Sequence, residues 1–274
     1  MNIAIIIPAR YGSTRFPGKP LTKIGGKTML SRVVDVAKQA IAQLDEENIT
    51  LAVATEDQRI ADHAAEIGVT GLLTSEDCAT GSDRVLEALD KLANDNEAGI
   101  EYDFVISLQG DAPFTPPEAI EKMIKAFQDN PSLDVVTPVI NLRWKELDKL
   151  REQKKTTPFS GTTAVLNNRG EAMWFSKNIL PAIRKEKDLR ENEFSPVYQH
   201  IGLYGYNVDV LREFVNMEQG HYEKLEGLEQ LRLLENGSTI QTVKLEMPAG
   251  LAQSGIDSPE DVERAEKILK TQKK

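Results

Sequence analysis

Residues 3–8 read Ile3, Ala4, Ile5, Ile6, Ile7, Pro8. Five apolar residues in a row, with no polar alternation, suit a strand buried on both faces, as in a parallel sheet with helices above and below it. Working outward from this run, helical and strand patterns alternate. Met29, Leu30, Val33, Val34, Ala37, Ile41 and Leu44 recur at helical spacing and predict a helix over 28–44. Residues 49–55 read as a strand, Asp57 opens a helix toward Ile67, and Gly68 stands where a helix C-cap glycine belongs. A short strand over 69–74, a helix over 81–92 and a third buried-type strand over 104–108 follow. Thr115, Pro116, Pro117 and Glu118 then supply an N-cap, a proline at the first helical position and a capping-box carboxylate. Repeated β–α alternation predicts an α/β fold with a mostly parallel twisted sheet flanked by helices.

The second half is less regular. Strands are expected over 134–140, 162–166, 201–206 and 239–245, and one helix over 224–235 through Leu225, Leu228, Leu231 and Leu234. Ser258, Pro259, Glu260 and Asp261 open the last helix. The charged stretches 143–155 and 184–193 read as solvated helices and loops.

The 274 residues are enough for one large domain, or a domain with a smaller lobe. With 33 basic against 43 acidic residues the net charge is −10, which argues against a non-specific nucleic-acid coat. A small basic pocket for a phosphorylated ligand is compatible with that balance. The single cysteine, Cys78, leaves no intramolecular disulfide and no multi-cysteine zinc site. Arg10 and Arg15 interrupt the first apolar run too early for a membrane span, and no basic leader precedes it. A cytoplasmic setting is the expectation.

Four segments hold candidate chemistry. The first follows the first strand and contains Arg10, Tyr11, Gly12, Ser13, Thr14, Arg15, Phe16, Pro17, Gly18, Lys19 and Pro20. Open parallel sheets bind ligands beyond the carboxyl ends of their strands. Glycines let backbone N–H groups approach phosphate oxygens, and the three cations supply charge. The segment is not a P-loop. Five residues separate Gly12 from Gly18, and Pro20 stands where a Ser or Thr would follow the lysine. A dinucleotide G-x-G-x-x-G fingerprint is also absent, which counts against a dehydrogenase.

The second segment is Gln109, Gly110, Asp111, after the third buried strand. Asp111 could hold magnesium, which takes one or two carboxylates plus ligand phosphates, or could simply close an Asx-turn. In the third, Asp257 either joins such a site or stabilises the N-terminus of the last helix. Two isolated aspartates gain meaning only if the fold brings them together. The fourth runs from Gln199 through His200 to Tyr206. There His200 either binds an anion or a sugar hydroxyl, or packs as a buried polar residue. Glu229 and Gln230 lie between Leu228 and Leu231 on what could be an ordinary amphipathic helix.

Taken together and in order, these segments resemble one family over nearly the whole chain. IPARYGSTRFPGKPL (7–21), ATGSDR (79–84), QGD (109–111), FSK (175–177), HIGLYGY (200–206), LEQLR (228–232) and GIDSPED (255–261) are similar to the motifs of the CMP-sugar synthetases. More narrowly, they resemble 3-deoxy-manno-octulosonate (Kdo) cytidylyltransferase. The resemblance implies a nucleotidyltransferase fold over 1–274, with residues 141–207 contributing an inserted dimerisation lobe. It implies a homodimer that joins CTP to an acidic eight-carbon sugar, releasing pyrophosphate, for lipopolysaccharide synthesis. By matched motif, Arg10, Ser13, Arg15 and Lys19 would hold the triphosphate, with Arg15 and Lys19 neutralising the departing pyrophosphate, and Arg84 would help place CTP. Asp111 and Asp257 would carry Mg2+. Gln109, Lys177, His200, Tyr204, Glu229 and Gln230 would line the sugar site.

Three positions depart from the family strings. Ala112 replaces a glutamate after QGD, Gln199 replaces an arginine before His200, and the strand over 162–165 lacks a lysine. Each change removes a charge on the sugar side while the nucleotide loop is intact. The branch of the family that uses the 8-amino-8-deoxy sugar is therefore expected ahead of the ordinary Kdo enzyme. A non-catalytic nucleotide sensor and a transferase for a nine-carbon sialic-type acid are the remaining alternatives.

Overall fold

The computed structural model describes residues 1–12, 16–44, 48–94, 100–246, 255–256 and 258–272. In chain order its elements are β1 (Ile3–Pro8), β2 (Lys23–Ile24), β3 (Lys27–Thr28), α1 (Met29–Gln43), β4 (Ile49–Thr55), α2 (Gln58–Glu66), β5 (Thr70–Leu73), α3 (Gly81–Asn94), β6 (Phe104–Ser107), α4 (Pro117–Asp129), β7 (Val135–Arg143), α5 (Trp144–Thr156), β8 (Thr162–Leu166), β9 (Ala172–Ser176), α6 (Glu186–Leu189), β10 (Phe194–His200), β11 (Tyr204–Asn207), α7 (Val208–Asn216), α8 (His221–Glu226), α9 (Gln230–Glu235), β12 (Ile240–Leu245) and α10 (Pro259–Gln272). They form two compact units, residues 1–121 with 254–274, and residues 122–253. The lobe expected over 141–207 lies within the second.

In the first unit β5, β4, β1 and β6 lie side by side and all run parallel. Ile3, Ala4, Ile5, Ile6 and Ile7 are buried, as the unbroken apolar run requires. Each fully buried isoleucine contributes about 1.5–3 kcal/mol. Thr28 caps α1 by accepting from the N–H of Ser31 at 3.1 Å, and Asp57 caps α2 by accepting from Arg59 N at 2.9 Å. The chain winds outward from β1 to β4 to β5, then returns to place β6 on the other side of β1. The loops after β1 and β6 thus diverge at a topological switch, where open α/β sheets bind ligands. A core cluster of Ile24, Met29, Ile256 and Ala265, with Phe16, Phe114, Val262 and Leu269 packed on it, ties the loop after β1 and the turn after β6 to α10.

In the second unit β7 pairs antiparallel with β11 and β10 and parallel with β12, while β10 pairs with β8 and β8 with β9, both antiparallel. The charged stretch over 143–155 is the helix expected. Its Trp144, Leu147 and Leu150 pack on Leu142 and Val197, while Asp148 and Arg151 pair outward with Arg190 and Glu186.

Two expected elements need correction. The helix over 224–235 is two helices, α8 and α9, because Gly227 takes φ +64 and ends the first in the left-handed conformation. Leu225 consequently points outward, 68% exposed. The strand expected over 201–206 begins only at Tyr204. Residues 201–203 form a tight turn in which Leu203 N donates to Ile201 O at 2.7 Å. Strand β9 and most of β10 have no counterpart in the expected pattern, since Met173 and Phe194 put apolar side chains on the exposed face and blur the alternation.

Candidate active site

The first unit gathers three of the four candidate segments. At the end of β1 the side chain of Arg10 is exposed. The loop then closes on itself, with Gly18 N donating to Tyr11 O at 3.0 Å, and Lys19 opens a short 3-10 turn over Lys19–Leu21. Lys19 Nζ lies 2.7 Å from Asp111 Oδ2, joining the loop after β1 to the turn after β6. Ile256 N donates to Asp111 O at 2.8 Å. Gly255 sits so close that a Cβ there would come within 2.9 Å of Asp111 Oδ1. Gly110 is equally confined, since its Cβ would stand 2.7 Å from Pro8 O. The carboxamide of Gln109 donates to Ser107 Oγ at 3.4 Å. Ser13, Arg15 and Asp257 lie outside the described residues.

Asp111 faces the Lys19 cation on one side and the Gly255–Ile256 segment on the other. Among the described residues no three His, Cys, Asp or Glu side chains cluster to cage a metal. Magnesium needs no such cage, because one or two carboxylates and ligand phosphates complete its shell. The residues present fit that mode, with Asp111 as the carboxylate.

Arg84 is buried, 5% exposed. Its guanidinium donates to Thr74 Oγ1 and meets Glu56 Oε2 at 3.2 Å. Glu56 had no signal in the sequence beyond its place at the carboxyl end of β4. Burial and its hydrogen bond to Glu87 push the Cys78 thiol up to about 11, so it is no thiolate nucleophile near neutral pH.

The second unit holds the other expected residues. Lys177 Nζ donates to Thr162 Oγ1 at 3.2 Å, and burial lowers its pKa against the opposing pull of Glu226. Glu226 accepts from Ser176 Oγ at 2.7 Å and from Lys177 N at 2.8 Å. His200 is buried, with Nε2 2.9 Å from Thr137 Oγ1. The Thr137 hydroxyl donates to Leu203 O at 2.7 Å, so it accepts from His200, and the ring proton sits on Nε2. Burial, with the nearby Lys177 charge, holds the His200 pKa down to about 3, so the ring is neutral. Its ring packs against Phe175 and Tyr204, with centroids 4.9 and 5.4 Å away. Burial, Tyr206 and the charge of Glu229 hold the Tyr204 phenol well above its ordinary range. Glu229 is exposed at the start of α9, whereas Gln230 is 3% exposed with its Nε2 making no hydrogen bond.

Sequence reasoning missed two further residues here. Asn141 has a buried Oδ1 without a hydrogen bond. Lys154 donates to the carbonyls of Ser160 at 2.6 Å, Gly161 at 3.0 Å and Lys177 at 2.5 Å. It thereby staples the residues that lead into β8 to the residue after β9. No pattern in a charged helix marks out one such lysine.

Residues 4–240 match a family model described as cytidylyltransferase. That agrees with a parallel sheet whose cationic loop and aspartate turn meet at its carboxyl edge, and it defines the chain as an enzyme that transfers a cytidylyl group from CTP. The chain is 43% identical over 269 residues to the 3-deoxy-manno-octulosonate cytidylyltransferase of Maricaulis maris, covering 98% of this chain and 97% of that protein. It is 38% identical to the corresponding protein of Thermodesulfovibrio yellowstonii, with 97% of each covered. A solved CMP:2-keto-3-deoxy-manno-octonic acid synthetase complexed with CTP superposes with a TM-score of 0.80 at 29% identity, covering 99% of this chain and 100% of that one. The chain belongs to the 3-deoxy-manno-octulosonate cytidylyltransferase family.

Proposed function

We propose that the protein transfers CMP from CTP to the anomeric hydroxyl of an acidic 3-deoxy-octulosonate sugar, releasing pyrophosphate and supplying an activated sugar for lipopolysaccharide synthesis. The observation that carries this reading is Asp111, held between the Lys19 ammonium and the Gly255–Ile256 segment. The anomeric oxygen bonds to the α-phosphorus as the P–O bond to the α–β bridging oxygen breaks; the electron pair of that bond leaves on pyrophosphate and the hydroxyl proton passes to solvent. Arg10, Ser13, Arg15 and Lys19 hold the triphosphate, and Lys19 and Arg15 balance the charge that grows on the departing pyrophosphate. Asp111 and Asp257 would hold Mg2+, which would polarise the phosphoryl group and lower the hydroxyl's pKa. Lys177, a half-buried cation, suits the sugar carboxylate, and the unpaired Gln230 Nε2 is a donor that a sugar oxygen would satisfy. Gln109, Tyr204 and Glu229 supply further hydrogen-bonding groups, and neutral His200 offers Nδ1 as an acceptor. The working form is a cytoplasmic homodimer.

The preferred sugar in this reading is the 8-amino analogue of Kdo. With Gln199 in place of arginine there is one less cation to repel an ammonium group, and its side-chain oxygen is a neutral acceptor. Losing the glutamate at Ala112 cuts the other way by removing a possible ammonium partner. The test is a CTP-dependent pyrophosphate assay with Kdo, 8-amino-Kdo and a sialic acid. Release with either octulosonate supports the enzyme, and CTP binding without release points to a sensor. Ala112→Glu with Gln199→Arg should move the ratio of kcat/KM toward Kdo by about tenfold. Equal kcat/KM for the two sugars in the unmodified protein would sink the 8-amino preference.

A further inference from the structure

Tyr11 and Gly12 present consecutive backbone N–H groups to a single oxygen, Glu56 Oε1, at 2.8 and 3.3 Å. Two adjacent amides converging on one anion form the kind of concavity that elsewhere receives phosphate. Here an acid from the end of β4 fills it. A carboxylate beside a triphosphate site should weaken nucleotide binding unless its charge is balanced. Glu56 Oε2 is buried, makes no hydrogen bond, and faces the Arg84 guanidinium at 3.2 Å. Arg84 is itself buried and tied to Thr74, so it is poorly placed to swing out to a ligand. Tyr11 is held from two more sides. Its carbonyl accepts from Gly18 N at 3.0 Å, and its ring lies 3.6 Å under the Arg59 guanidinium, which is paired with Asp57 at 2.6 Å.

We infer that Glu56 and Arg84 are positioning residues: a charge-balanced brace that sets the start of the triphosphate loop through the Tyr11 and Gly12 amides, with Arg84 acting on CTP through Glu56. This rests on the CTP reading above. Glu56 stays in place when nucleotide binds, because Arg84 anchors it from behind and the two amides hold it in front. Arg84→Met would leave an uncompensated carboxylate next to a polyanion, and should cost more than Glu56→Gln, which keeps an oxygen acceptor for both amides while it loses the charge and turns an NH2 donor toward Arg84.

The experiment measures CTP binding by calorimetry, KM for CTP and for the sugar, and thermal stability. It uses the full chain and its Glu56→Gln, Glu56→Ala, Arg84→Met and Glu56→Gln/Arg84→Met variants. Glu56→Ala is expected to weaken CTP about tenfold, as loss of a charged hydrogen-bond acceptor implies, with the sugar KM unchanged within about twofold. The double variant should bind CTP more tightly than Arg84→Met alone. Tighter CTP binding by Glu56→Ala would overturn the brace, since the carboxylate would then be competing with phosphate for the amides. Equal CTP affinity across the variants would overturn it too, as would parallel loss of both KM values. If Glu56→Ala does not fold, the near-isosteric Glu56→Gln and the double variant carry the comparison. Failure of the unmodified chain to bind CTP would instead bring down the functional reading itself.

Discussion

Lys19 Nζ and Asp111 Oδ2 stand 2.7 Å apart, so the cation of the loop after β1 and the acid of the turn after β6 share one point in the first unit. Asp111→Asn keeps the shape and removes the charge. A loss of about 3 kcal/mol of transition-state stabilisation corresponds to turnover slowed roughly a hundredfold, and Asp257→Asn should behave alike. Steady-state pyrophosphate release against magnesium concentration checks this. Near-normal turnover of both variants at low magnesium would remove the metal assignment.

Lys19→Ala should raise the KM for CTP and lower kcat together. The ammonium would meet phosphates that gain charge as the bond breaks, so both ground-state binding and the transition state lose a partner. An effect confined to the sugar's KM would move Lys19 away from the triphosphate.

His200 gives a stability signature. Its folded pKa is depressed to about 3 by burial and by Lys177, against an ordinary value of 6.5. The unfolded chain therefore takes up this proton first. The stability that neutral His200 contributes is complete above about pH 6.5 and is lost as pH falls from there toward 3, at about 1.4 kcal/mol per pH unit. Urea denaturation of the unmodified protein and of His200→Gln between pH 7 and 4, roughly that window, isolates the effect. The difference in stability between the two should shrink with falling pH; a constant difference would mean that His200 titrates normally. For the same reason the pH profile of kcat should carry no limb from His200 near neutrality.

The buried pair of Glu223 and Arg232 binds α8 to α9, with Arg232 Nε donating to Glu223 Oε2 at 2.8 Å. Glu223→Gln leaves the guanidinium without its counter-charge and should cost about 3–5 kcal/mol of stability, while Glu223→Met with Arg232→Leu should recover a large part of it. Equilibrium unfolding of the single and double variants reads the outcome, and a single variant as stable as the parent would show that the pair is idle.

The first half of the fold was legible because its signals are local. The isoleucine run of β1 has one reading, and Asp57 and Pro117 mark helix starts by their own side-chain chemistry. The second half lost legibility where tertiary context overrides pattern. Leucines at helical spacing bridged Gly227, although a single left-handed residue there breaks the helix in two. Within the site, Lys19 and Asp111 could be named because each sits at the carboxyl end of an obvious strand. Their contact could not, since it spans 92 positions. Glu56 was invisible for a related reason: an acid after a strand looks like any solvent-facing residue until the amides it serves are located in space.

The first unit draws its hydrophobic cluster from opposite ends of the chain. Phe16 and Phe114 precede the second unit in the sequence, while Ile256, Ala265 and Leu269 of the same cluster follow it. The cluster therefore closes only through a return of the chain across the whole second unit. The entropy of closing such a loop rises only slowly with its length, so the first unit carries a long insertion at this point for little more than a short one would cost.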